Sequence, residues 1–233
     1  MVKRMNENKI YVYAADAAKL YDEAAFTAAY DSVSSYRREK TDRFLFRKDK
    51  VLSLAAELLL QYALKEHGIL SYRVGVKKSG KPYLQECVWE EGRMRTQRVP
   101  QFNLSHSRER VMCVIAGQDV GCDVEKITAM EPEVARQIFT SQEYEKLAAC
   151  KNGKQRDEMF FRYWTLKESF MKATGLGSAL SPDSFSPDHS YREQGYYFKE
   201  YDPVDGYCYA VCGRTDQFDE NIRFVDLLLG KKY

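Results

Sequence analysis

The sequence predicts an α+β protein built as two similar lobes in one chain, each a small, mostly antiparallel sheet packed on a long helix. The first observation is two long helical segments. Leucine and alanine recur at helical spacing from Lys50 to His67, and Lys154–Thr174 contains no proline or glycine. A glycine follows each segment, as is typical after the last turn of a helix. The second observation is that both halves run in a similar order of helix, turn and strands. The 233 residues allow lobes of residues 1–118 and 119–233, each large enough for a core.

The first half opens with a predicted strand at Lys9–Ala14 and a helix at Asp22–Tyr30. A basic run follows from Ser34 to Phe44 and extends through Lys50, in front of the long helix. Two interpretations remain open for this run: a solvated face, which is what most charge runs are, or a cradle for an anion.

A turn at Lys78–Leu84 leads into a strand, and Glu86–Pro100 is predicted as a polar excursion. Phe102–Ser107 and Val111–Ala116 then form a predicted hairpin whose second strand is buried. His106 lies between two serines in the first of these strands. Its imidazole either forms hydrogen bonds with groups nearby in the fold or, together with the two serine hydroxyls, binds phosphate oxygens.

The second half begins with a predicted strand at Val120–Ile127. Because strand side chains alternate between faces, Asp123 and Glu125 project together. Two carboxylates ~4 Å apart repel by about 4 kcal/mol at an effective dielectric of ~20, so an enclosed pair calls for a cation. Oxygen-only ligation favours Mg²⁺.

A helical stretch at Glu131–Cys150 precedes the aromatic helix, and three strands follow, at Tyr196–Tyr201, Tyr207–Cys212 and Ile222–Leu229. In the aromatic helix, Glu168 and Lys172 are four residues apart and point the same way. They either form an ion pair on a solvent-exposed edge of the helix, or Glu168 is a ligand and Lys172 contacts a phosphate. We expect a small ligand to bind between the lobes.

Composition limits the class of protein. The net charge of +2 does not indicate a nucleic-acid binder, and no apolar run approaches the roughly 20 residues of a membrane span. The six cysteines show no CxxC pair or zinc-type spacing, and no export signal is evident. We therefore expect reduced thiols and a cytoplasmic location.

Two motifs together resemble the signature pair of the 4′-phosphopantetheinyl transferases: Gly121–Lys126 and Trp164–Lys172. The resemblance is closest to the longer, surfactin-synthetase-activating type. It extends to the Gly80-Lys81-Pro82 turn, to Asn103–Ser107 and to the basic segment Arg37–Lys40, in the family's order and over most of the chain.

This resemblance implies the family's two-lobed fold, with coenzyme A between the lobes, and a role for each matching position. Asp123, Glu125 and Glu168 are the implied magnesium ligands, with Mn²⁺ as an alternative metal. The implied catalytic residues are Glu168, Lys172 and His106. The implied coenzyme A contacts are Arg37, Lys40, Lys81, Pro82, Ser105, His106, Lys167 and Lys172.

The implied reaction is that of a holo-acyl-carrier-protein synthase type enzyme. The phosphopantetheine arm passes from coenzyme A to a serine of an apo acyl, peptidyl or aryl carrier protein, and adenosine 3′,5′-bisphosphate leaves. Glu168, directly or through a water, is expected to take the serine proton. Two lobes in one chain favour a monomer.

The chain departs from the family pattern at Leu52, where the family commonly has an arginine, and we expect Lys48 or Lys50 to replace that contact. Two alternative functions would give different binding and activity measurements. A binding protein for coenzyme A or a nucleotide would bind without Mg²⁺ dependence and modify no carrier. A nucleic-acid binder using Arg37–Lys50 would lose affinity steeply with salt.

Overall fold

The computed structural model describes residues 5–89, 99–188, 194–228 and 231–232. The first half contains β1 (Tyr11–Asp16), α1 (Glu23–Ser32), α2 (Ser35–Asp42), α3 (Arg47–Glu66), β2 (Ile69–Val76), β3 (Pro82–Trp89), β4 (Gln101–Ser107) and β5 (Arg110–Ala116). The second half contains β6 (Val120–Lys126), α4 (Pro132–Ile138), α5 (Ser141–Ala148), α6 (Gly153–Thr174), β7 (Tyr197–Val204), β8 (Tyr207–Gly213), β9 (Arg223–Asp226) and β10 (Lys231–Lys232).

Two main sheets lie between the two long helices. The first has the strand order β10-β9-β1-β5-β4, and the second has the order β6-β8-β7. All neighbouring strands in them are antiparallel except β1 and β9, which are parallel. Strands β2 and β3 form a separate antiparallel hairpin. The predicted α+β fold with two lobes is confirmed.

Strand β1 shows how the layers are held together. Its side chains Tyr11, Tyr13 and Ala15 face a core that includes the leucines of α3. The alternate residues Val12 and Ala14 face a second core, which they share with β6 and β8. Because both faces of β1 are buried up to Ala15, the strand is a continuous apolar run before its exposed last residue, Asp16. The molecule is therefore layered in the order α3, first sheet, second sheet, α6.

Several features differ from the sequence-based prediction. The basic run contains the helix α2, and α3 begins at Arg47, before the predicted Lys50. The helical stretch 131–150 is two helices, because Thr140 caps a new one in a capping box with Glu143. Strand β2 was not predicted, and part of the predicted polar excursion is the end of β3; residues 90–98 lie outside the described part of the chain. In the predicted C-terminal strand, β9 covers Arg223–Asp226, and Leu229 is not among the described residues.

The lobe boundary between residues 118 and 119 stays a prediction. Strand β9, from the second half, pairs with β1 of the first half, so the chain returns to the first sheet at its end. Within the described ranges, no helix is both long and apolar enough to cross a bilayer.

Candidate functional site

The predicted site residues meet where α6 packs directly on β6. A Cβ added to Gly121 would lie 2.1 Å from the Ser169 carbonyl oxygen and 2.4 Å from the Ala173 nitrogen. Only glycine permits so close an approach of helix and strand backbone. The next residues on the same face of β6 therefore also lie along α6, with Asp123 beside Lys172 and Glu125 further towards Trp164.

Asp123 and Lys172 form the centre of the cluster. The Lys172 Nζ atom lies 2.5 Å from Asp123 Oδ1. The Ser105 hydroxyl donates to the same carboxylate oxygen at 2.7 Å and accepts a hydrogen bond from Lys172 Nζ at 3.1 Å. Asp123 is buried, so this ion pair is enclosed on the carboxylate side. Three separate elements, β4, β6 and α6, thus supply one network.

Glu125 and Glu168 flank this network. The Ser107 hydroxyl donates to Glu125 Oε2 at 2.6 Å. Burial raises the pKa of Glu125 to about 6; the Ser107 hydrogen bond and Lys172 oppose the shift, whereas Asp123 and Glu168 add to it. Burial also raises the pKa of Glu168, which is opposed by Lys172 and reinforced by Asp123. Asp123 and Glu168 therefore both disfavour the charge of Glu125.

Lys172 balances this negative charge. Burial disfavours its ammonium, but the attraction of Asp123 and Glu168 prevails and raises the pKa of Lys172. Of the two interpretations left open, the intrahelical pair on a wet edge is not what the structure shows. The ammonium contacts Asp123 of β6, a strand in the same half of the chain, and the Lys172 side chain is 28% exposed.

The carboxylates provide oxygen donors but not a closed metal site. As the side chains stand, the described residues include no group of three or more His, Cys, Asp or Glu placed to hold a metal ion. Asp123 Oδ2 is nevertheless buried without a hydrogen-bond partner, and a buried carboxylate oxygen requires one. An oxygen-only donor set with an unsatisfied buried oxygen fits a hard cation such as Mg²⁺.

A cavity of about 380 Å³ opens beside the cluster, between the β2–β3 hairpin, β4 and the end of α6. It is lined by Ser79, Lys81, Pro82, Asn103, Leu104, Glu168, Met171, Lys172, Gly175 and Gly177. This list contains four of the predicted site residues from both halves of the chain: Lys81, Pro82, Glu168 and Lys172. A larger cavity of about 670 Å³ lies on the other side of α6 and contains none of them.

Lys81 bonds to backbone at this junction. Its Nζ atom donates to the carbonyls of Lys172 at 2.6 Å, Val120 at 3.1 Å and Ala173 at 3.4 Å. Two of these belong to the last turn of α6, whose carbonyls have no partner within the helix. The side chain lines the cavity and ties the lobes together. Burial lowers the pKa of Lys81.

His106 projects from the opposite face of β4 to Ser105, because neighbouring strand residues alternate. Desolvation lowers the pKa of its imidazole, and Lys172 and Lys40 lower it further. Lys40 of α2 and Lys172 of α6 therefore both disfavour a positive charge on this imidazole, which stays neutral beside two cationic side chains. Such cationic side chains suit the phosphate groups of a ligand.

The two predicted phosphate contacts in α2 differ in their surroundings. Arg37 is buried and bonds through Nε and a second guanidinium nitrogen to Glu57 of α3, both at 3.1 Å. Lys40 is exposed. Leu52, at the position of the family's arginine, is 6% exposed and packs in the first core.

Lys167 is not brought to the cluster, which corrects the prediction that it contacts coenzyme A. It is 2% exposed, and its Nζ atom lies 2.8 Å from Glu143 of α5. The same ammonium donates to the carbonyls of Pro182 at 2.7 Å and Phe185 at 2.5 Å. The reason is helical geometry: Lys167 precedes Glu168 by one residue, about 100° around the helix, and faces α5.

Sequence reasoning did not assign roles to Gly121, Asn103 and Ser107. The Asn103 side-chain oxygen accepts from the Cys122 amide at 2.9 Å, and Ser107 bonds to Glu125. Their spacing with Ser105 was a usable signal, because residues 103, 105 and 107 share one face of a strand.

A second, smaller cavity of about 240 Å³ adjoins Glu125. It is lined by Glu125, Thr128, Ala129, Met130, Glu131, Val134, Phe160, Phe161 and Trp164. Apolar and aromatic groups predominate in this lining, so the cluster has one cavity beside Glu168 and Lys172 and another beside Glu125.

Comparison with known proteins gives matches over both halves of the chain. A family model described as the 4′-phosphopantetheinyl transferase superfamily matches residues 119–212. A second, described as 4′-phosphopantetheinyl transferase, N-terminal, matches residues 22–119. The two matches meet at the predicted lobe boundary.

Individual relatives carry the same description. The 4′-phosphopantetheinyl transferase Sfp of Bacillus subtilis (strain 168) is 32% identical over 213 residues, which cover 83% of this chain and 87% of the relative. The 4′-phosphopantetheinyl transferase gsp of Aneurinibacillus migulanus is 30% identical over 179 residues, or 76% of this chain and 70% of the relative. The L-aminoadipate-semialdehyde dehydrogenase-phosphopantetheinyl transferase of Rattus norvegicus is 27% identical over 167 residues, or 66% and 52%.

Proposed function

This chain belongs to the 4′-phosphopantetheinyl transferases of the Sfp type, and from that premise we propose that it modifies carrier proteins. The substrates are coenzyme A and an apo acyl, peptidyl or aryl carrier protein. The serine oxygen of the carrier forms a bond to the β-phosphorus of coenzyme A. The bond from that phosphorus to the bridging oxygen breaks, and adenosine 3′,5′-bisphosphate leaves.

The observation that carries this proposal is the meeting of Asp123, Glu125, Glu168 and Lys172 at the lobe junction. Asp123 and Glu125 come from β6, and Glu168 and Lys172 come from α6, which Gly121 admits to within contact distance. We assign Asp123, Glu125 and Glu168 as holders of Mg²⁺, with Mn²⁺ as the alternative. When bound, the ion neutralises pyrophosphate charge, on which phosphoryl transfer largely depends.

Residues around the 380 Å³ cavity would bind and orient coenzyme A. Lys81 and Pro82 line its wall, and we place the adenine side there. His106, Lys40 and Arg37 surround the proposed position of the 3′-phosphate, with Lys40 the more accessible of the two α2 cations. Ser105, through its bond to Lys172, belongs to the pyrophosphate end.

Proton transfer is assigned to Glu168. Its carboxylate lines the 380 Å³ cavity, where a carrier serine would meet bound coenzyme A. Lys172, whose raised pKa keeps it charged, would move from Asp123 towards the phosphate oxygens and stabilise the negative charge of the leaving group.

The decisive experiment mixes the protein with coenzyme A, Mg²⁺ and a panel of apo-carriers and records intact masses. We expect at least one carrier to gain one phosphopantetheine group. Glu168→Gln should lower the rate by roughly 100-fold or more at saturating Mg²⁺, the scale of a lost general base. Glu158→Gln, on the same helix but lining the other cavity, is the matched control. A Glu168→Gln rate within a few-fold of the parent would refute both of its roles.

Carrier range and setting are also proposals. The holo-acyl-carrier-protein synthase class, and service to fatty-acid, polyketide, peptide-synthetase or siderophore carriers, would be decided by which panel members react. We propose a monomer acting in the cytoplasm, supported by a junction built within one chain and by six free cysteines. Light scattering after size exclusion measures the oligomeric state. Coenzyme A binding without any carrier modification would instead support a binding protein.

A further inference from the structure

Strands β4 and β6 meet at a seam made by side chains. The two strands belong to different sheets, yet residues of β4 reach β6 at a nearly constant offset. Asn103 Oδ1 accepts from the Cys122 amide at 2.9 Å. The Ser107 oxygen accepts from the Lys126 amide at 3.2 Å. Alternate β4 side chains thus supply partners for backbone groups that a neighbouring strand would otherwise satisfy.

Ser107 has a second bond in this seam, to Glu125. A serine hydroxyl has one proton to donate and two lone pairs to accept with. Because the Lys126 amide occupies one lone pair, the hydroxyl proton points away from that amide. The hydroxyl donates it in a hydrogen bond to the Glu125 Oε2 atom at 2.6 Å. The Lys126 amide therefore sets the orientation of the Ser107 hydroxyl, and that hydroxyl holds the Glu125 carboxylate in position.

Asp123 is held differently. It has both the Ser105 hydroxyl and the Lys172 ammonium on one oxygen, so the loss of its serine leaves an ion pair in place. Among the described residues, the salt bridges include none to Glu125. Its hydrogen bond to Ser107 is thus the restraint on a flexible, half-buried side chain.

From this arrangement we propose that Ser107 is a positioning residue, contributed by the first lobe, that holds the Glu125 carboxylate in place for the divalent ion. The inference rests on the proposed function, since it presupposes that Glu125 binds the ion. It extends that function by making the metal centre depend on both lobes, although all its assigned ligands come from the second. Partners that orient metal ligands are typically worth a 10- to 100-fold change in affinity.

The test is Mn²⁺ binding to the full chain, without coenzyme A, followed by electron paramagnetic resonance. Ser107→Ala should weaken Mn²⁺ binding by about 10-fold, and Ser107→Thr, which keeps the hydroxyl, should restore it. Ser53→Ala is the matched control, because Ser53 is a buried serine whose hydroxyl bonds to Thr41 in the first lobe. Its Mn²⁺ affinity should equal that of the wild type.

Two further measurements separate positioning from general damage to the fold. With Ser107→Ala, the Mg²⁺ concentration for half-maximal activity should rise while kcat at saturating Mg²⁺ is retained. A merely structural role would lower kcat without moving the half-saturation point. Hydrogen exchange at the Lys126 amide of the metal-free protein should quicken in Ser107→Ala and recover in Ser107→Thr. If Ser107→Ala does not fold, Ser107→Cys keeps the size with a weaker donor and should also weaken Mn²⁺ binding.

The outcomes test the positioning role of Ser107 separately from the proposed transferase function. Equal Mn²⁺ affinity for wild type and for a folded Ser107→Ala or Ser107→Cys overturns the positioning role and leaves the transferase intact. If the wild type binds no Mn²⁺ yet modifies carriers, the metal centre and the positioning role both fail. If Ser107→Thr weakens Mn²⁺ binding as much as Ser107→Ala does, the positioning role is also overturned, because the hydroxyl that threonine keeps would then not hold Glu125.

Discussion

The carboxyl group of Glu125 is held where its charge is disfavoured. Burial raises its pKa from an ordinary 4.5 to about 6. The folded protein therefore binds this proton more tightly than the unfolded chain does. It follows that stability falls as the pH rises from about 4.5 to 6 and that the full penalty applies above that range. A shift of this size corresponds to at most about 2 kcal/mol.

We therefore expect Glu125→Gln to raise the thermal midpoint of the metal-free protein at pH 7.5 while lowering transferase activity. The amide removes the disfavoured charge but is a poor ligand for a hard cation. Thermal unfolding with a chelator present, at pH 7.5 and at pH 4.5, measures the effect. The stabilisation should disappear at the lower pH, where Glu125 is protonated.

The control is Glu145→Gln, at an exposed position of α5, which should leave the midpoint unchanged at both pH values. A Glu125→Gln variant less stable than the wild type at pH 7.5 would show that the Glu125 charge does not destabilise the folded protein.

Other single residues were predictable only in part. The alternation of a strand predicted that Asp123 and Glu125 share a face, because that follows from backbone geometry alone. The partner of Lys172 was not predictable, because the acid four residues earlier in the helix and the acid on β6 compete for one ammonium. Lys167 shows the same limit, since its partner Glu143 lies on another helix.

At the scale of elements, the contact between α6 and β6 depends on the absence of a side chain at residue 121. A Cβ there would meet backbone atoms of Ser169 and Ala173 at 2.1 and 2.4 Å. Backbone cannot rotate away as a side-chain end can, so the helix itself would have to move.

Gly121→Ala should therefore destabilise the protein by about 1–3 kcal/mol or more, as overpacking does. It should also lower activity, because displacement of α6 carries Glu168 and Lys172 away from Asp123. Urea unfolding and the carrier assay provide the two measurements.

Gly153→Ala is the matched change in α6 itself. An added Cβ there has no heavy atom within 4 Å, so we expect unchanged or slightly higher stability. If the two alanine variants unfold at the same urea concentration, the close contact at Gly121 is not what sets the helix position.

Helices and strands with strong local signals were predictable as elements. The carboxyl ends of α3 and α6 follow from the glycines after them, whereas the start of α3 at Arg47 precedes the predicted Lys50. The break between α4 and α5 was missed although its signal was present, because Thr140 and Glu143 are spaced as a capping box. The pairing of β9 with β1 carries no local signal, since more than 200 residues separate partners such as Tyr13 and Arg223.

At the scale of the whole molecule, Lys81 joins the two lobes. Its ammonium binds carbonyls of β6 and of the last turn of α6. Positive charge is also favoured there because the carboxyl end of a helix carries partial negative charge.

We expect Lys81→Met to raise KM for coenzyme A by about 10-fold, the equivalent of one or two lost hydrogen bonds, with a smaller effect on kcat. In the ligand-free protein, amide hydrogen exchange should also quicken at the end of α6, for example at Gly175. Exchange followed by mass spectrometry and steady-state kinetics measure the two effects.

Lys78→Met, at an exposed position on the preceding turn, serves as the control and should change neither. If Lys81→Met raised KM but left exchange in the ligand-free protein unchanged, the side chain would act as a ligand contact and not as a tether between lobes.

The sequence by itself determined the α+β class, the long helices, the shared face of Asp123 and Glu125 and the family resemblance. These follow from periodicity, glycine positions and motif order, all of which are local properties of the chain. Tertiary structure decided which polar groups meet: Lys172 with Asp123, Lys167 with Glu143, Arg37 with Glu57 and Ser107 with Glu125. The reason is physical: the sequence offers many acids as partners for each polar side chain, and only the packing of elements distant in sequence selects the pair that is desolvated together.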